Sequence, residues 1–438
     1  MRGPILVVLA AAACTSPATG GDPADAGHAS SSAAASSSSH APGSSQPAAS
    51  SAGAGSSAAS PSSGGVDCAG CITARADLGA YSVADLRPYV AANTVLDNGY
   101  SVHLVTYRTE AGTARVTVTV PLGVAAPAGG WHVVVNNPGT AGLDDPCAVG
   151  NSVAGAGLAG SFGARGFIGA AVDYPGLGTP GTHPYLVSRV EGTASLDAAR
   201  AVLRLAADLG VPVSGRVALV GLSQGGHATF AAAALHGSYA PTLDVRAFAA
   251  CGPASLFLEH WSAGVTVPGA HQAYHAMLVY AFNAFYAPSS SPEQLWTTDV
   301  AARIDNLMAT RCPFANSGPT LISELGTDPA AIFNADFLQA YGTGDLAAYP
   351  SIQTAFNVNR VRPYTQTAPL RIYQGTADET VLVGGTRELV AALRAGGNVV
   401  DYVEVEGGGH TDVAFGFIAY PQLRTEDSIS WLRERLGN

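Results

Sequence analysis

Apolar and polar residues alternate in two neighbouring stretches of this chain, residues 101–108 and residues 114–120. A period of two is typical of strands that bury one face, because successive side chains of a strand point to opposite sides. The short connection between the stretches contains Glu110 and Gly112, and such a connection favours a tight reversal. The pattern therefore predicts an antiparallel hairpin.

Six later stretches are short and mostly apolar, which is typical of strands buried in a parallel sheet. These stretches are residues 131–136, 166–172, 216–220, 245–251, 370–373 and 399–405. Residues 187–209 instead repeat apolar side chains at helical spacing and end just before Gly210 and Pro212, two helix-stopping residues. Strands that alternate with helices predict an α/β fold with a mostly parallel central sheet flanked by helices.

The segment of residues 252–367 interrupts this alternation. It is rich in aromatic and apolar side chains at helical rather than strand spacing, which predicts an inserted helical cap. The core then consists of residues 67–251 and 368–438. The aromatic side chains have two interpretations, since an apolar pocket lining and the packing of a cap on the core both require them.

The first residues have the features of an export signal. Arg2 precedes an apolar stretch, residues 4–13, that is too short to span a bilayer, and small residues lead to Cys14. This arrangement is typical of a bacterial lipoprotein signal, so we predict a signal peptide at residues 1–13, lipidation of Cys14 and anchoring to a bacterial membrane. Cleavage at an Ala-x-Ala site, followed by simple secretion, is the alternative.

A low-complexity segment follows the signal. Residues 26–66 contain no charged residue and consist mainly of Ser, Ala, Gly and Pro. Such a composition cannot bury enough apolar surface to offset the entropy lost on ordering. We therefore predict that residues 14–66 are a disordered tether.

The 438-residue chain has a formal net charge of −11 and contains no basic run. Because nucleic-acid binding depends on clustered positive charge, nucleic acid is not an expected partner. The length is sufficient for one large α/β domain with an insertion.

The strongest chemical signal is Gly-Leu-Ser-Gln-Gly at residues 221–225, between a predicted strand and a stretch of helix-forming residues, 228–235. This pattern in this context is typical of a nucleophile elbow, in which flanking glycines allow a strained turn that exposes the serine hydroxyl. Ser223 is therefore the candidate nucleophile. A plain flexible turn is the alternative interpretation.

A serine nucleophile needs a general base and an acid that orients this base. Asp378 follows the predicted strand at residues 370–373, and His410 follows the one at residues 399–405 in a glycine-rich loop. Glu379 competes with Asp378, but Asp378 is nearer the strand and its shorter side chain holds an imidazole more rigidly. The order Ser, Asp, His is the chain order of α/β-hydrolases.

Four segments together resemble the secretory lipase family, which has bacterial members and fungal members similar to Candida antarctica lipase A. They are the serine turn, residues 173–185, residues 375–379 and the Gly-Gly-Gly-His that ends at residue 410. The resemblance covers about residues 80–438. It implies an α/β-hydrolase with a helical cap after the sixth strand, which hydrolyses carboxylic esters of acylglycerol type without a cofactor.

An oxyanion hole in such an enzyme is made by backbone N–H groups, the first being that of Gln224. The second comes from the loop after residues 131–136, where Asn-Pro-Gly-Thr at residues 137–140 replaces the His-Gly-Thr usual in bacterial members. A main-chain donor survives replacement of side chains, so we predict the N–H of Thr140, with that of Gly139 as the alternative. A Pro-Gly turn without a function is the remaining interpretation.

Export permits disulfides, and five cysteines follow the one at the end of the signal. Cys68 and Cys71 form a C-x-x-C pair without a thioredoxin-like context, which predicts a small local disulfide rather than a redox motif. The family resemblance implies a bond between Cys147 and Cys312. Cys251 ends an apolar strand, and we expect a buried thiol there.

The favoured function is that of a serine carboxylic-ester hydrolase, a lipase or esterase acting through an acyl-enzyme. An acyltransferase or a peptidase that uses the same residues is an alternative, because access of the acceptor decides between these reactions. A non-catalytic surface-binding protein is a third possibility, which the complete Ser, Asp and His set disfavours.

Overall fold

The computed structural model of the protein describes residues 68–89, 95–314, 318–414 and 425–437. The predicted signal peptide, the predicted lipidation of Cys14 and the predicted tether at residues 14–66 lie outside the described residues and stay predictions.

Nine strands in the described residues form one mixed sheet. They are β1 (Ile72–Tyr81), β2 (Gly99–Thr109), β3 (Gly112–Leu122), β4 (Trp131–Asn137), β5 (Ile168–Asp173), β6 (Val213–Leu222), β7 (Asp244–Cys251), β8 (Leu370–Gly375) and β9 (Val400–Val405). Their order is β1-β2-β3-β5-β4-β6-β7-β8-β9. The pairings from β1 to β5 are antiparallel and those from β5 to β9 are parallel. The predicted fold class is confirmed.

The predicted hairpin is confirmed as β2 and β3, whose register pairs Thr109 with Gly112 beside the turn. The sequence pattern did not predict β1. Most side chains of β1 are exposed, so this strand lacks the alternation that marks a half-buried one. Because β1 precedes the hairpin, the long insertion follows the seventh strand, whereas the family resemblance implied the sixth.

Fifteen α-helices lie in the described ranges. They are α1 (Val83–Leu86), α2 (Val153–Gly163), α3 (Ser188–Asp208), α4 (Gln224–Tyr239), α5 (Leu258–Val265), α6 (Gln272–Phe285), α7 (Pro292–Leu295), α8 (Thr298–Ala301), α9 (Ile304–Thr310), α10 (Leu321–Leu325), α11 (Pro329–Ile332), α12 (Ala335–Thr343), α13 (Pro350–Asn359), α14 (Val383–Ala395) and α15 (Thr425–Leu436). The helix predicted over residues 187–209 is confirmed as α3. In this part of the chain no helix is long and apolar enough to cross a membrane.

Helices cover both faces of the sheet. On β4, Val133 and Val135 pack into a cluster that includes side chains of α3, α4 and α14, whereas Val134 packs into one that includes α2 and α15. Burial on both faces accounts for the almost continuous apolar runs of the central strands. The carboxyl ends of parallel strands share one edge of such a sheet, and that edge is where ligands bind.

Helices α5 to α13 lie between β7 and β8 in chain order and have a hydrophobic cluster of their own. The cluster includes Phe282, Phe337 and Phe356 from the insertion, and Leu186 and Val190 from the start of the α3 region. These aromatic side chains therefore serve the packing of the insertion on itself and on the core. The assignment of residues 252–367 as a cap over a site stays a hypothesis.

Candidate active site

Ser223 occupies a strained turn between β6 and α4. Its backbone has φ 59° and ψ −117°, a conformation that residues other than glycine rarely adopt. Its N–H donates to the carbonyl oxygen of Cys251 at 2.9 Å, and its own carbonyl accepts the N–H of His227 at 3.0 Å. These bonds fix the serine at the carboxyl edge of the sheet, beside the end of β7.

The glycines that flank Ser223 are required by close packing. A Cβ at Gly221 would overlap the carbonyl oxygen of Gly225, and a Cβ at Gly225 would overlap the carbonyl oxygen of Asn137. The end of β4 and the first turn of α4 thus approach each other backbone to backbone. The G-x-S-x-G spacing meets this packing requirement as well as the conformational one.

Asp378 and His410 form a hydrogen-bonded pair, with His410 Nδ1 at 2.8 Å from Asp378 Oδ2. The side chain of Asp378 is fully buried, and that of His410 is 17% exposed. Because the carboxylate oxygen accepts this bond, Nδ1 carries the proton and Nε2 has the lone pair in a neutral ring. Glu379, the alternative acid, is exposed.

Three further donors orient the Asp378 carboxylate. Oδ1 accepts the backbone N–H of Thr380 at 2.9 Å and that of Val381 at 2.8 Å, and Oδ2 accepts Nε2 of Gln374 at 3.0 Å. A buried carboxylate costs free energy unless such donors replace its lost hydration. The same donors turn Oδ2 toward the imidazole.

The loops that follow β8 and β9 lie directly on each other. The N–H of Ala377 donates to the carbonyl oxygen of Gly408 at 3.0 Å, and a Cβ at Gly375 would overlap that same oxygen. The glycines before His410 therefore allow the contact between loops that brings His410 to Asp378.

Gly252, the first residue after β7, lies between the serine turn and this pair. A Cβ at Gly252 would lie 3.2 Å from Asp378 Oδ2 and from His410 Nδ1. The preceding residue, Cys251, accepts the N–H of Ser223. The three predicted residues therefore meet around the end of β7.

The predicted oxyanion donors flank the serine turn. Gln224 is the first residue of α4, where backbone N–H groups have no acceptor within the helix. On the other side, a Cβ at Gly139 would lie 3.8 Å from the Cβ of Ser223, and Oγ1 of the next residue, Thr140, is hydrogen-bonded to the hydroxyl of Tyr185 at 2.8 Å. Gly139 and Thr140, the two alternatives for the second donor, thus belong to a loop that contacts this turn.

Two disulfides are present in the described residues. Cys147 and Cys312 are 165 residues apart in sequence, and their bond joins the segment after this loop to the insertion. Cys68 and Cys71 form a local bond at the start of β1. Cys251 is buried and takes part in neither bond.

Sequence reasoning missed a buried polar cluster next to the serine turn. His183, Glu191 and His227 have no exposed surface, and the first two contact the side chain of Gln224. Two signals were present: His183 belongs to residues 173–185, which resemble the family, and Glu191 lies beside the apolar stripe of α3, although a lone helical glutamate is usually solvated. Over the ranges that the structure describes, no group of three or more His, Cys, Asp or Glu side chains is arranged to hold a metal ion.

A mostly parallel sheet that presents a strained serine at its carboxyl edge, beside a histidine–carboxylate pair, defines the α/β-hydrolase class. Within this class, the chain belongs to the secretory lipase family, whose model matches residues 161–438. The protein is accordingly a carboxylic ester hydrolase, and its family indicates that it is exported. A comparison with curated protein sequences gave no match.

Solved structures of similar fold have low sequence identity to the chain. The rice cell wall degrading esterase LipA from Xanthomonas oryzae has a TM-score of 0.68 and 21% identity, over 84% of this chain and 98% of that one. A putative hydrolase from Legionella pneumophila has a TM-score of 0.70 and 19% identity, with the same two coverages. Candida antarctica lipase A in its closed state has a TM-score of 0.62 and 18% identity, over 84% and 82%. At these identities the likeness concerns the fold alone.

Proposed function

We propose that this hydrolase cleaves carboxylic esters through an acyl-enzyme on Ser223, with His410 as general base and Asp378 as the residue that orients it. The observation that carries the proposal is the 2.8 Å hydrogen bond between His410 Nδ1 and Asp378 Oδ2, at the same sheet edge as the strained serine turn. This bond leaves Nε2 of the imidazole to receive a proton.

In the first half of the reaction, Oγ of Ser223 attacks the ester carbonyl carbon while Nε2 of His410 takes the hydroxyl proton. The bond to the alcohol oxygen then breaks, and His410 gives its proton to the departing alcohol. Water repeats the sequence on the acyl-enzyme, so that the acid leaves and the proton returns to Ser223. In each half, Asp378 stabilises and orients the imidazolium.

The negative oxygen of each tetrahedral intermediate is held by the backbone N–H groups of Gln224 and Thr140. The position of Gln224 supports its part, because the N-terminus of a helix carries partial positive charge and N–H groups without helical acceptors. The contact of the Gly139–Thr140 loop with Ser223 supports the second donor. No step requires a cofactor.

The substrates in this proposal are esters of acylglycerol type. The family supports this class, and the apolar insertion between β7 and β8, residues 252–367, is the proposed cap over the acyl chain. The N-terminal sequence supports a lipid anchor at Cys14, with residues 14–66 as the tether between membrane and enzyme.

The test is a panel of p-nitrophenyl esters of increasing chain length beside a dipeptide p-nitroanilide, with and without an added alcohol. We expect ester hydrolysis with free acid as the main product, and an organophosphonate adduct on Ser223 by peptide mass analysis. Faster cleavage of the amide, predominant transfer of the acyl group to the alcohol, or an adduct on another residue would contradict the proposal.

A further inference from the structure

The segment between β5 and α3, residues 174–187, takes no part in the chemical steps above, although most of it belongs to the sequence that resembles the family. Its side chains contact two segments next to Ser223, namely the loop with Pro138 and Thr140 and the side chain of Gln224.

Two tyrosines of this segment hold the loop. The hydroxyl of Tyr174 donates to the carbonyl oxygen of Pro138 at 3.2 Å, and the hydroxyl of Tyr185 is hydrogen-bonded to Oγ1 of Thr140 at 2.8 Å. Both tyrosines are buried, with 1% and 3% of their surface exposed. The loop is thereby held through the backbone of Pro138 and through the side chain of Thr140, on either side of Gly139.

The side chain of Gln224 is also held by hydrogen bonds. Its Nε2 lies 2.6 Å from Nε2 of His183 and 2.8 Å from Oε1 of Glu191. An amide nitrogen has two hydrogens, so it donates to both neighbours if both can accept.

His183 can accept this bond if its Nε2 carries no proton. Its Nδ1 lies 3.1 Å from the carbonyl oxygen of Pro175, and a carbonyl only accepts, so Nδ1 carries a proton. Burial lowers the pKa of His183, although the Glu191 carboxylate and the bond to Pro175 oppose this change, and the lowered pKa favours the neutral ring. Nε2 is therefore an acceptor, and the two hydrogens of the Gln224 amide go to His183 and Glu191.

Glu191 connects this segment to both helices. Its side chain is fully buried. Oε1 also accepts the N–H of Leu186 at 2.9 Å, a residue held at φ 58°, and Oε2 is 2.9 Å from Nδ1 of His227 on α4. One carboxylate thus fixes the end of the segment, the start of α3 and the first turn of α4.

From these contacts we infer that Tyr174, Tyr185, His183 and Glu191 are positioning residues that hold the two oxyanion donors, the N–H groups of Thr140 and Gln224, at a fixed separation. The inference rests on the proposed function, because it concerns the oxyanion hole of Ser223. Donors stabilise a transition state only when they are already in place as charge develops, and a displacement of about 1 Å can cost on the order of 10²-fold in rate.

The variants Tyr185→Phe and Gln224→Met each remove hydrogen bonds on one side and keep the backbone N–H groups. For each we expect a fall in kcat of roughly tenfold with little change in KM for a short-chain p-nitrophenyl ester, because the donors act in the transition state. The inhibition constant of an alkyl trifluoromethyl ketone, which forms a tetrahedral oxyanion on the serine, should rise by the same factor. That of the corresponding alcohol, which forms no oxyanion, should not change.

Tyr107→Phe is the matched control. Tyr107 is also fully buried, and its hydroxyl donates at 2.8 Å to the carbonyl oxygen of Ala194, on α3 rather than on the loop with Pro138 and Thr140. It should show a comparable loss of thermal stability and wild-type kcat. Thr140→Val should lower kcat as Tyr185→Phe does, and the double variant should cost no more than either single one.

If both Tyr185→Phe and Gln224→Met fold and keep wild-type kcat while Ser223 is labelled by an organophosphonate, the positioning role is wrong and the proposed reaction stands. Absence of the label from Ser223 in the wild-type enzyme would overturn both. Should either variant fail to fold, Tyr174→Phe tests the same loop, and unchanged kcat with unchanged ketone inhibition would count against the inference.

Discussion

Ser101 and His103 on β2 are joined by a 3.0 Å hydrogen bond between Oγ and Nε2. Nδ1 of the same imidazole lies 2.7 Å from Oδ1 of Asp77 on β1. A second hydrogen-bonded set of serine, histidine and aspartate therefore lies in the antiparallel part of the sheet. Here, however, the backbone pairs with β1 and with β3. Ser101 therefore lies within paired strands, whereas Ser223 directly precedes a helix, whose first backbone N–H groups have no helical acceptor and can hold an oxyanion.

This second hydrogen-bonded set supplies a control for the assignment of Ser223 as the nucleophile. Ser223→Ala should lower esterase turnover by roughly six orders of magnitude without loss of folding, because the hydroxyl contributes chemistry rather than packing. Ser101→Ala also removes a serine hydroxyl from a hydrogen-bonded set of serine, histidine and aspartate, and it should leave turnover unchanged. The measurement is kcat on a short ester, with circular dichroism as the folding check, and substantial activity in Ser223→Ala would contradict the assignment.

Variants at two neighbouring residues show which carboxylate orients the imidazole of His410. Asp378→Asn keeps the shape of the buried side chain but removes the acceptor that orients His410, and by analogy with a serine protease it should cost on the order of 10⁴ in kcat. Glu379→Gln makes the same chemical change at an exposed position and should have no effect. The opposite pattern would show that the acid is Glu379.

The two disulfides should differ in their effect on stability. The Cys147–Cys312 bond closes a loop with a sequence separation of 165, whereas Cys68–Cys71 closes one with a separation of 3. Loop-closure entropy then predicts a loss of up to about 5 kcal/mol for the long loop and about 2 kcal/mol for the short one when each pair is replaced by serines. Urea unfolding of the two double variants gives these values, and equal losses would contradict the entropic account.

Buried histidine should make the protein less stable in acid. Burial among aromatic side chains lowers the pKa of His275 to about 3, whereas an unfolded chain titrates near 6.5, so the unfolded state takes up a proton first as the pH falls. The free energy of unfolding should therefore decrease from about pH 6.5 toward about pH 3.

The variant His275→Gln should show a shallower decrease of stability over this range than the wild-type protein, by urea unfolding at a series of pH values. His260→Gln, which removes a more exposed imidazole, is the control and should keep the wild-type slope. A wild-type slope in His275→Gln would show that other groups cause the acid sensitivity.

The predicted lipid anchor at Cys14 can be tested directly. With lipid on this residue the protein should enter the detergent phase on Triton X-114 partitioning, and Cys14→Ser should return it to the aqueous phase. If the predicted tether is a flexible coil, its uncharged part would have a typical span of about 35 Å. An unmodified N-terminus at or beyond Cys14 by intact mass would establish simple secretion.

Those parts of the fold with strong periodicity could be predicted from the sequence. The β2–β3 hairpin and α3 bury one face and therefore show a clear pattern. β1 could not be predicted because most of its side chains are exposed. α2 was missed because its residues, mainly Ala and Gly with a few larger apolar side chains, show no polar face.

The site was predictable where local geometry restricts the residue type. Ser223 was recognisable because its turn allows only glycine at residues 221 and 225. Glu191 and His183 were not, because nothing in a single sequence shows that a carboxylate on α3 and an imidazole in a loop share one amide of Gln224. Buried polar contacts of this kind are set by tertiary packing alone.

The order of the cysteines has a consequence for biogenesis. Cys251 lies between Cys147 and Cys312 in sequence, so a chain that crosses a membrane from its N-terminus presents Cys251 to the oxidising compartment before Cys312 arrives. Oxidation on arrival would join Cys147 to Cys251 and prevent β7 from forming beside the serine turn. We therefore expect correct pairing to need either a thiol–disulfide isomerase that exchanges such a bond or burial of Cys251 in β7 before Cys312 emerges.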